Sequence, residues 1–297
     1  MRVGVMILPD RHWAEAGKDW RAAEELGFDS AWTYDHMSWG PLVDRPWFSP
    51  YPVLTAAACS TQRIQLGTLV TSPNFRHPVT TVKDAISVDD ISQGRFVLGI
   101  GAGSTTAGDD RVIDPTPLSL RDRTERFAEF VELTDRMLRE PAVTHEGRFF
   151  SAFESRNVAS CNRRSPLPVA VAATGPRGLA LAARHGSAWV TFGAPVHSKK
   201  CTPEETLKMV RSQLGGLHQA CERAGRDPVE MKKIFVVTDL PQESRSPSTF
   251  VEYARSYASI GITDLVIHWP RPTGIYKADP QMAHLIAEKA LPEIHDM

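Results

Sequence analysis

Eight short apolar runs, each followed by a segment of helical spacing or a long connection, constrain this chain more than any other feature. They fall at 3–8, 30–36, 64–71, 95–101, 167–173, 187–193, 233–239 and 263–269, and each reads as a strand. Amphipathic spacing predicts helices over 13–26, 50–60, 78–93 and 119–139, with Gly27 and Gly94 placed to end the first and third. Thr202-Pro203-Glu204-Glu205 opens a later helix, with a capping box between Thr202 and Glu205 and Pro203 at the first helical position. Strands alternating with helices imply a parallel sheet. In 297 residues the natural closure is a (β/α)8 TIM barrel of class α/β, with an open doubly wound sheet as the alternative. No Ser/Gly/Pro linker divides the chain, so one domain over 1–297 is expected. It carries an inserted segment of about 104–165 between the fourth and fifth strands: a loop at 104–118, the 119–139 helix and a hairpin over 143–150 turning at Glu146-Gly147.

With 42% hydrophobic and 23% charged residues, the composition is that of a globular chain with a large core. A net charge of -1 argues against nucleic acid or an anionic membrane surface as partner. Cys59, Cys161, Cys201 and Cys221 form no CxxC pair, which argues against a zinc site or a redox dithiol and for free thiols in a reducing compartment. The N-terminal RVGVMIL lacks the parts of a signal peptide, and no apolar run approaches the ~20 residues of a membrane span. A cytoplasmic protein is expected.

In a barrel, chemistry gathers at the C-terminal ends of the strands. Strand two ends in Tyr34-Asp35-His36, followed by Met37, Ser38 and Trp39; an Asp-His pair there can supply an acid or base near neutral pH. The loop Thr71-Ser72-Pro73-Asn74-Phe75-Arg76-His77-Pro78 follows strand three, and Arg76 and His77 read as solvated loop residues. His36 and His77 lie on different loops with no third ligand evident, so no metal site is expected. Gly99, Gly101 and Gly103, ahead of Ser104, fail the dinucleotide fingerprint in spacing; they allow close approach of either a flat ring or another strand.

Val169 to Val190 reads as a strand, a tight turn, a helix and a second strand. Thr174 or Gly175 can cap that helix and Pro176 suits its first turn, yet Arg177 opposes the helix dipole there. An anion beside Arg177 would resolve the conflict, since barrels often bind phosphate after their later strands; the alternative is an exposed Arg that tolerates a cost of about 0.3–1 kcal/mol. Strand eight ends in His268-Trp269-Pro270-Arg271, where Trp269 lines a cavity or packs at the rim. Trp39, Trp47, Phe48, Phe192 and Trp269 all fall near strand ends, which fits either a flat apolar ligand or rim packing.

Five stretches, AWTYDHMSW, LGTLVTSPNFRHP, GRFVLGIGAGS, VAATGPRGLALAAR and ITDLVIHWPR, together resemble the luciferase-like flavin oxidoreductase family, and within it the branch that uses the deazaflavin coenzyme F420. The resemblance implies an eightfold barrel, a homodimer and a cofactor ring in the barrel mouth. It implies that His36 handles a proton, with Asp35 beside the ring fixing the His36 ring and tautomer. Leu69-Val70 matches a non-prolyl cis peptide under the ring; Ser72, Ala102 and Gly103 match cofactor contacts; and Thr174, Gly175, Arg177 and Gly178 match the phosphate turn. Trp39, Ser104 and Trp269 are then candidates for the substrate pocket. Ser104 stands where the family's sugar-phosphate dehydrogenases have Glu, and Gly193-Ala194-Pro195 where they have a phosphate-binding Lys, which argues against a sugar phosphate. The implied function is hydride transfer between deazaflavin C5 and a small organic substrate, most readily reduction of a C=C or C=N bond in specialised metabolism. An FMN-dependent monooxygenase and a flavin-binding barrel without turnover are the alternatives.

Overall fold

The computed structural model describes residues 1–103, 110–157, 166–193, 201–238, 240 and 246–297. The eight expected strands are present: β1 (Arg2–Met6), β2 (Ser30–Thr33), β3 (Gln65–Thr68), β4 (Phe96–Gly101), β7 (Val169–Ala172), β8 (Ala188–Thr191), β9 (Lys232–Val236) and β10 (Asp264–His268). All pair in parallel in the order β1-β10-β9-β8-β7-β4-β3-β2, and β1 pairs with both β10 and β2, so the sheet is a closed barrel rather than an open one. Around it lie α1 (Trp13–Glu25), α2 (Pro50–Ser60), α3 (Pro78–Ile91), α5 (Leu120–Arg139), α6 (Pro176–His185), α7 (Pro203–Arg223), α8 (Pro247–Ala258), α9 (Met282–Lys289) and α10 (Leu291–His295). The Thr202–Glu205 capping box forms as expected, with Pro203 at the first helical position.

Between β4 and β7 two expectations change. Within the loop expected over 104–118, Asp110–Ile113 form a short helix, α4, while 114–118 are irregular as expected; 104–109 lie outside the described residues. The hairpin is β5 (Ala142–Glu146) paired with β6 (Ser151–Arg156), so 143–150 holds one strand and the turn instead of the whole hairpin. β6 has no apolar alternation to reveal it: its sequence is SAFESR, and Phe153 is 86% exposed.

Strand alternation sorts the core into two layers. Val3, Val5, Leu98, Ile100, Val171, Trp189, Phe235, Leu265 and Ile267 face the helices. Met6, Trp32, Val97, Ala170, Ala188, Val190, Ile234, Val236 and Val266 fill the interior. The filling is lopsided: Trp32 packs against the bare Cα of Gly4 and Gly67, while β4 and β7 turn only Gly99, Gly101, Ala170 and Ala172 inward near their upper ends. Each fully buried large side chain contributes about 1.5–3 kcal/mol.

At the opposite rim, the Glu24 carboxylate at the end of α1 accepts the backbone N–H groups of Gln62, Arg63 and Ile64 at 2.5–2.9 Å. Burial alone would raise its pKa; the three N–H groups outweigh that and hold it below the usual value of 4.5. Its contribution is therefore full above the unfolded value and lost as pH falls through the lower folded one. Glu24→Ala is expected to cost about 1–2 kcal/mol at pH 7. Urea unfolding should find that deficit shrinking below pH 4.

Candidate active site at the barrel mouth

Asp35 directly follows β2 and is 1% exposed. Its carboxylate accepts two hydrogen bonds from Arg76, Nη2 to Oδ1 at 2.8 Å and Nε to Oδ2 at 3.0 Å, and a third from the Thr71 hydroxyl at 3.0 Å. The Tyr51 hydroxyl in turn lies 2.9 Å from Thr71 and donates to it, because the Thr71 proton is already used. The Arg76 guanidinium also lies over the Tyr51 ring, 5.2 Å from its centroid. The expectation of a solvated Arg76 is therefore overturned: a buried carboxylate needs a paired cation, and Arg76 supplies it. These bonds give Asp35 a role that the idea of a ring-orienting carboxylate did not include, tying the loop that carries His36 to the loop after β3. His77 caps α3, its Nδ1 accepting from the Val79 N–H at 3.2 Å, so it too is placed by structure and not simply solvated.

His36 is half-buried among aromatic rings. Trp39 stacks on it at 6.4 Å, Tyr34 lies edge-on at 5.7 Å and Trp47 at 6.1 Å. Tyr276, from the loop after β10, stacks on Trp39 at 5.9 Å and on His268 at 3.4 Å. His268 Nδ1 faces the Val237 carbonyl at 3.1 Å, and a carbonyl only accepts, so Nδ1 carries the proton. Nε2 is then an acceptor and takes the Tyr34 hydroxyl at 2.8 Å. Burial pushes His268 down to about 3, so the ring is neutral at physiological pH.

The sign of that shift makes an expected outcome. The folded state binds fewer protons than the unfolded chain between about 3 and 6.5, so the contribution is full above 6.5 and lost as pH falls. His268→Gln keeps an acceptor for Tyr34 and does not titrate. Its urea midpoint should fall less than that of the unsubstituted protein between pH 6.5 and pH 4. Equal falls would contradict the assignment.

Trp269 does not join this wall. It packs edge-on against Phe28 in the helix-side layer, at 6.3 Å, because the parity that turns Val266 and His268 inward turns Trp269 outward. Its expected place in the pocket is taken by His268 and Tyr276, which sequence reasoning did not single out. Strand parity was a usable signal for His268; Tyr276, on a loop, had none. Arg271 forms a two-bond pair with Asp10, at 2.7 and 2.8 Å, joining the loops after β10 and β1.

On the other side of the mouth, the Leu69-Val70 peptide is cis. Val70, Ala172 and Phe192, all partly exposed, pack against the interior layer and form an apolar shelf. The glycines of β4 allow β3 and the residues after it to approach closely. A Cβ at Gly99 would run into the Thr68 carbonyl, and one at Gly101 into Val70. At Gly103, with φ of 76°, a Cβ would meet Ser72 and Asn74. Ser72 is thus buried beneath Gly103, and its hydroxyl accepts the Asn74 N–H at 3.2 Å. Ala102 lies beside them, half-buried; Ser104 falls outside the described residues.

Next to this shelf, Thr174, Gly175, Pro176 and Arg177 form an exposed turn. Gly175, rather than Thr174, is the N-cap of α6, and no side chain caps that end. The first-turn N–H groups of Arg177 and Gly178 have no intrahelical acceptor. Among the described residues Arg177 has no ion-pair or hydrogen-bond partner. Backbone donors, dipole and guanidinium together fit an anion such as the phosphate of a cofactor side chain, and the adjacent shelf fits a flat ring. Among the described residues no three His, Cys, Asp or Glu side chains gather as a metal site, and no helix is long and apolar enough to cross a membrane.

The molecule is an α/β barrel of eight parallel strands with an aromatic wall, an apolar shelf and a cationic helix start at its mouth. The chain belongs to the luciferase-like monooxygenase family, whose model matches residues 1–237. It is 29% identical over 305 residues to an F420-dependent glucose-6-phosphate dehydrogenase of Beutenbergia cavernae, covering 84% of this chain and 85% of that one. It is 34% identical over 176 residues to 4-hydroxyprotoasukamycin monooxygenase of Streptomyces nodosus subsp. asukaensis; the match covers 58% of this chain and spans only 45% of that relative. Among solved structures, an F420-dependent secondary alcohol dehydrogenase superposes with a TM-score of 0.81 over 99% of this chain and 98% of that one, at 16% identity, which speaks to the fold.

Proposed function

We propose that the protein is an oxidoreductase that uses coenzyme F420 to transfer hydride to or from a small organic substrate, with reduction of a C=C or C=N bond as the forward reaction. The observation that carries this reading is the exposed Thr174–Arg177 turn, whose cation, without a partner among the described residues, stands at a helix start beside the apolar shelf. Similarity to an F420-dependent dehydrogenase along most of both chains favours a deazaflavin as the ligand of that turn. When bound, a deazaflavin supplies a two-electron hydride donor or acceptor. Arg177 and the N–H groups of Gly178 and its neighbours hold the phosphate; Val70, Ala102 and Gly103 line the ring side, with Leu69 and Ser72 buried behind them. His36 holds or delivers the substrate proton at a ring nitrogen. Asp35, through Arg76 and Thr71, keeps the backbone of that loop in place. Trp39, Tyr276 and Trp47 exclude water from an apolar substrate face.

Titration with F420 and, separately, with FMN tests the reading by cofactor fluorescence and spectral shift. Binding of F420 in preference to FMN supports it, and turnover should then be sought with enones, imines and alcohols. Preference for FMN with oxygen consumption would favour the monooxygenase reading, which the 34% identity to a monooxygenase keeps as the second one. A homodimer in the cytoplasm is part of the same proposal, and light scattering checks the dimer.

A further inference from the structure

Among the described residues, Arg177 is not the only cation at this rim without a carboxylate. Arg123, on the N-terminal part of α5, donates from Nη2 to the Gly103 carbonyl at 2.7 Å, and its Nε is buried without an acceptor. Among the described residues it has no ion pair. Three relations put the two arginines on adjoining parts of the rim. Gly101 of β4 pairs with Ala172 of β7, so Gly103 and the Thr174–Arg177 turn leave neighbouring strands. A Cβ at Gly178 would lie 4.0 Å from the Phe127 ring of α5. Arg123 is one helical turn nearer the mouth than Phe127, on the same face. Beneath Gly103, Asn74 is 7% exposed; its Oδ1 accepts from Arg126 and its Nδ2 is buried without a partner. A neutral carbonyl does not balance a guanidinium, and donors left unpaired at a rim imply a further acceptor.

We propose that Arg123 forms a second anionic subsite beside Arg177, which takes a carboxylate lying beyond the cofactor's phosphate. This rests on the F420 reading: that coenzyme continues past its phosphate into a lactyl-glutamyl chain with several carboxylates, whereas FMN ends at the phosphate. Arg177 holds the phosphate and Arg123 a carboxylate of the chain. The pair thereby distinguishes a coenzyme with an acidic tail from one without it.

The test compares two probes by quenching of deazaflavin fluorescence: F420 carrying two glutamates, and the same deazaflavin riboside ending at its 5′-phosphate. The truncated probe carries more charge on its phosphate, so any preference for the tail is read against that bias. The unsubstituted protein should bind the tailed probe at least about fivefold more tightly at low salt, with the preference shrinking as salt screens it. Arg123→Gln should abolish the preference while binding the truncated probe within about twofold of the unsubstituted protein, and Arg123→Lys should restore part of it. Arg177→Gln should weaken both probes about tenfold. Circular dichroism of each variant separates misfolding from lost binding. Equal affinity of the unsubstituted protein for the two probes, or a preference that survives Arg123→Gln, overturns the subsite while leaving the F420 reading in place. Failure of the unsubstituted protein to bind either probe overturns both.

Discussion

Replacing Arg76 with Leu is expected to destabilise the protein by about 3–5 kcal/mol at pH 8, the cost of leaving a buried carboxylate without its cation. The Asp35 side chain is 0% exposed and Arg76 21%, so water cannot stand in for the guanidinium. Burial already pushes the Asp35 carboxyl up, and Arg76 is the main influence that opposes it. In the variant, burial acts with little opposition. The folded pKa of Asp35 then lies further above its unfolded value, and the folded state keeps a proton that the unfolded chain releases. Stability is highest below the unfolded value and is lost as pH rises through the folded one. The deficit against the unsubstituted protein should therefore be smaller at pH 5 than at pH 8. Adding Asp35→Asn to Arg76→Leu should recover part of the loss, because the double variant buries no charge. A deficit below about 1 kcal/mol, or one that does not depend on pH, would show that the pair does not anchor the mouth.

Replacing His36 with Asn is the second large effect. If His36 handles the substrate proton, turnover should fall by about 10²–10³-fold, as is typical when a positioned acid or base is removed. Asn fills similar space and keeps polar atoms against Trp39 and Trp47, so the wall should stand. F420 binding, followed by fluorescence, should stay within a few fold. Unchanged turnover would move proton delivery to another group or to water. Lost cofactor binding would make His36 a structural element of the pocket.

Much of the fold was legible because a parallel barrel repeats one local signal. Each βα unit writes an apolar run followed by an amphipathic one, and Gly175-Pro176 and Thr202-Pro203 mark helix starts by local chemistry. The turn carrying Arg177 was legible for the same reason: a cation in the first turn conflicts with its neighbours in sequence. The Asp35–Arg76 pair was not, since its partners are 41 positions apart and meet only once β2 and β3 lie side by side. A loop Arg next to Phe75 and His77 carries no mark of the carboxylate it will meet. Trp269 was misplaced because chemical type was weighed and parity was not, although Val266, two residues before His268, already pointed to the interior. β6 escaped because Ala152 is its one buried residue, which leaves no period to detect.

The barrel's strand order divides the mouth into two arcs. β3, β4 and β7 are neighbours and carry the Leu69-Val70 peptide, Ser72, Gly103 and the Arg177 turn. β2, β1 and β10 are also neighbours and carry His36, the Asp10–Arg271 pair and the Tyr34–His268 hydrogen bond. The Asp35–Arg76 pair braces the two arcs to each other, whereas Trp39, Trp47 and Tyr276 stack on one another outside that brace and can be exchanged without cutting it. On the proposed F420 reading the molecule is a socket and an interchangeable tool for an engineer: libraries confined to Trp39, Trp47 and Tyr276 should vary the reacting partner while the coenzyme's seat stays constant.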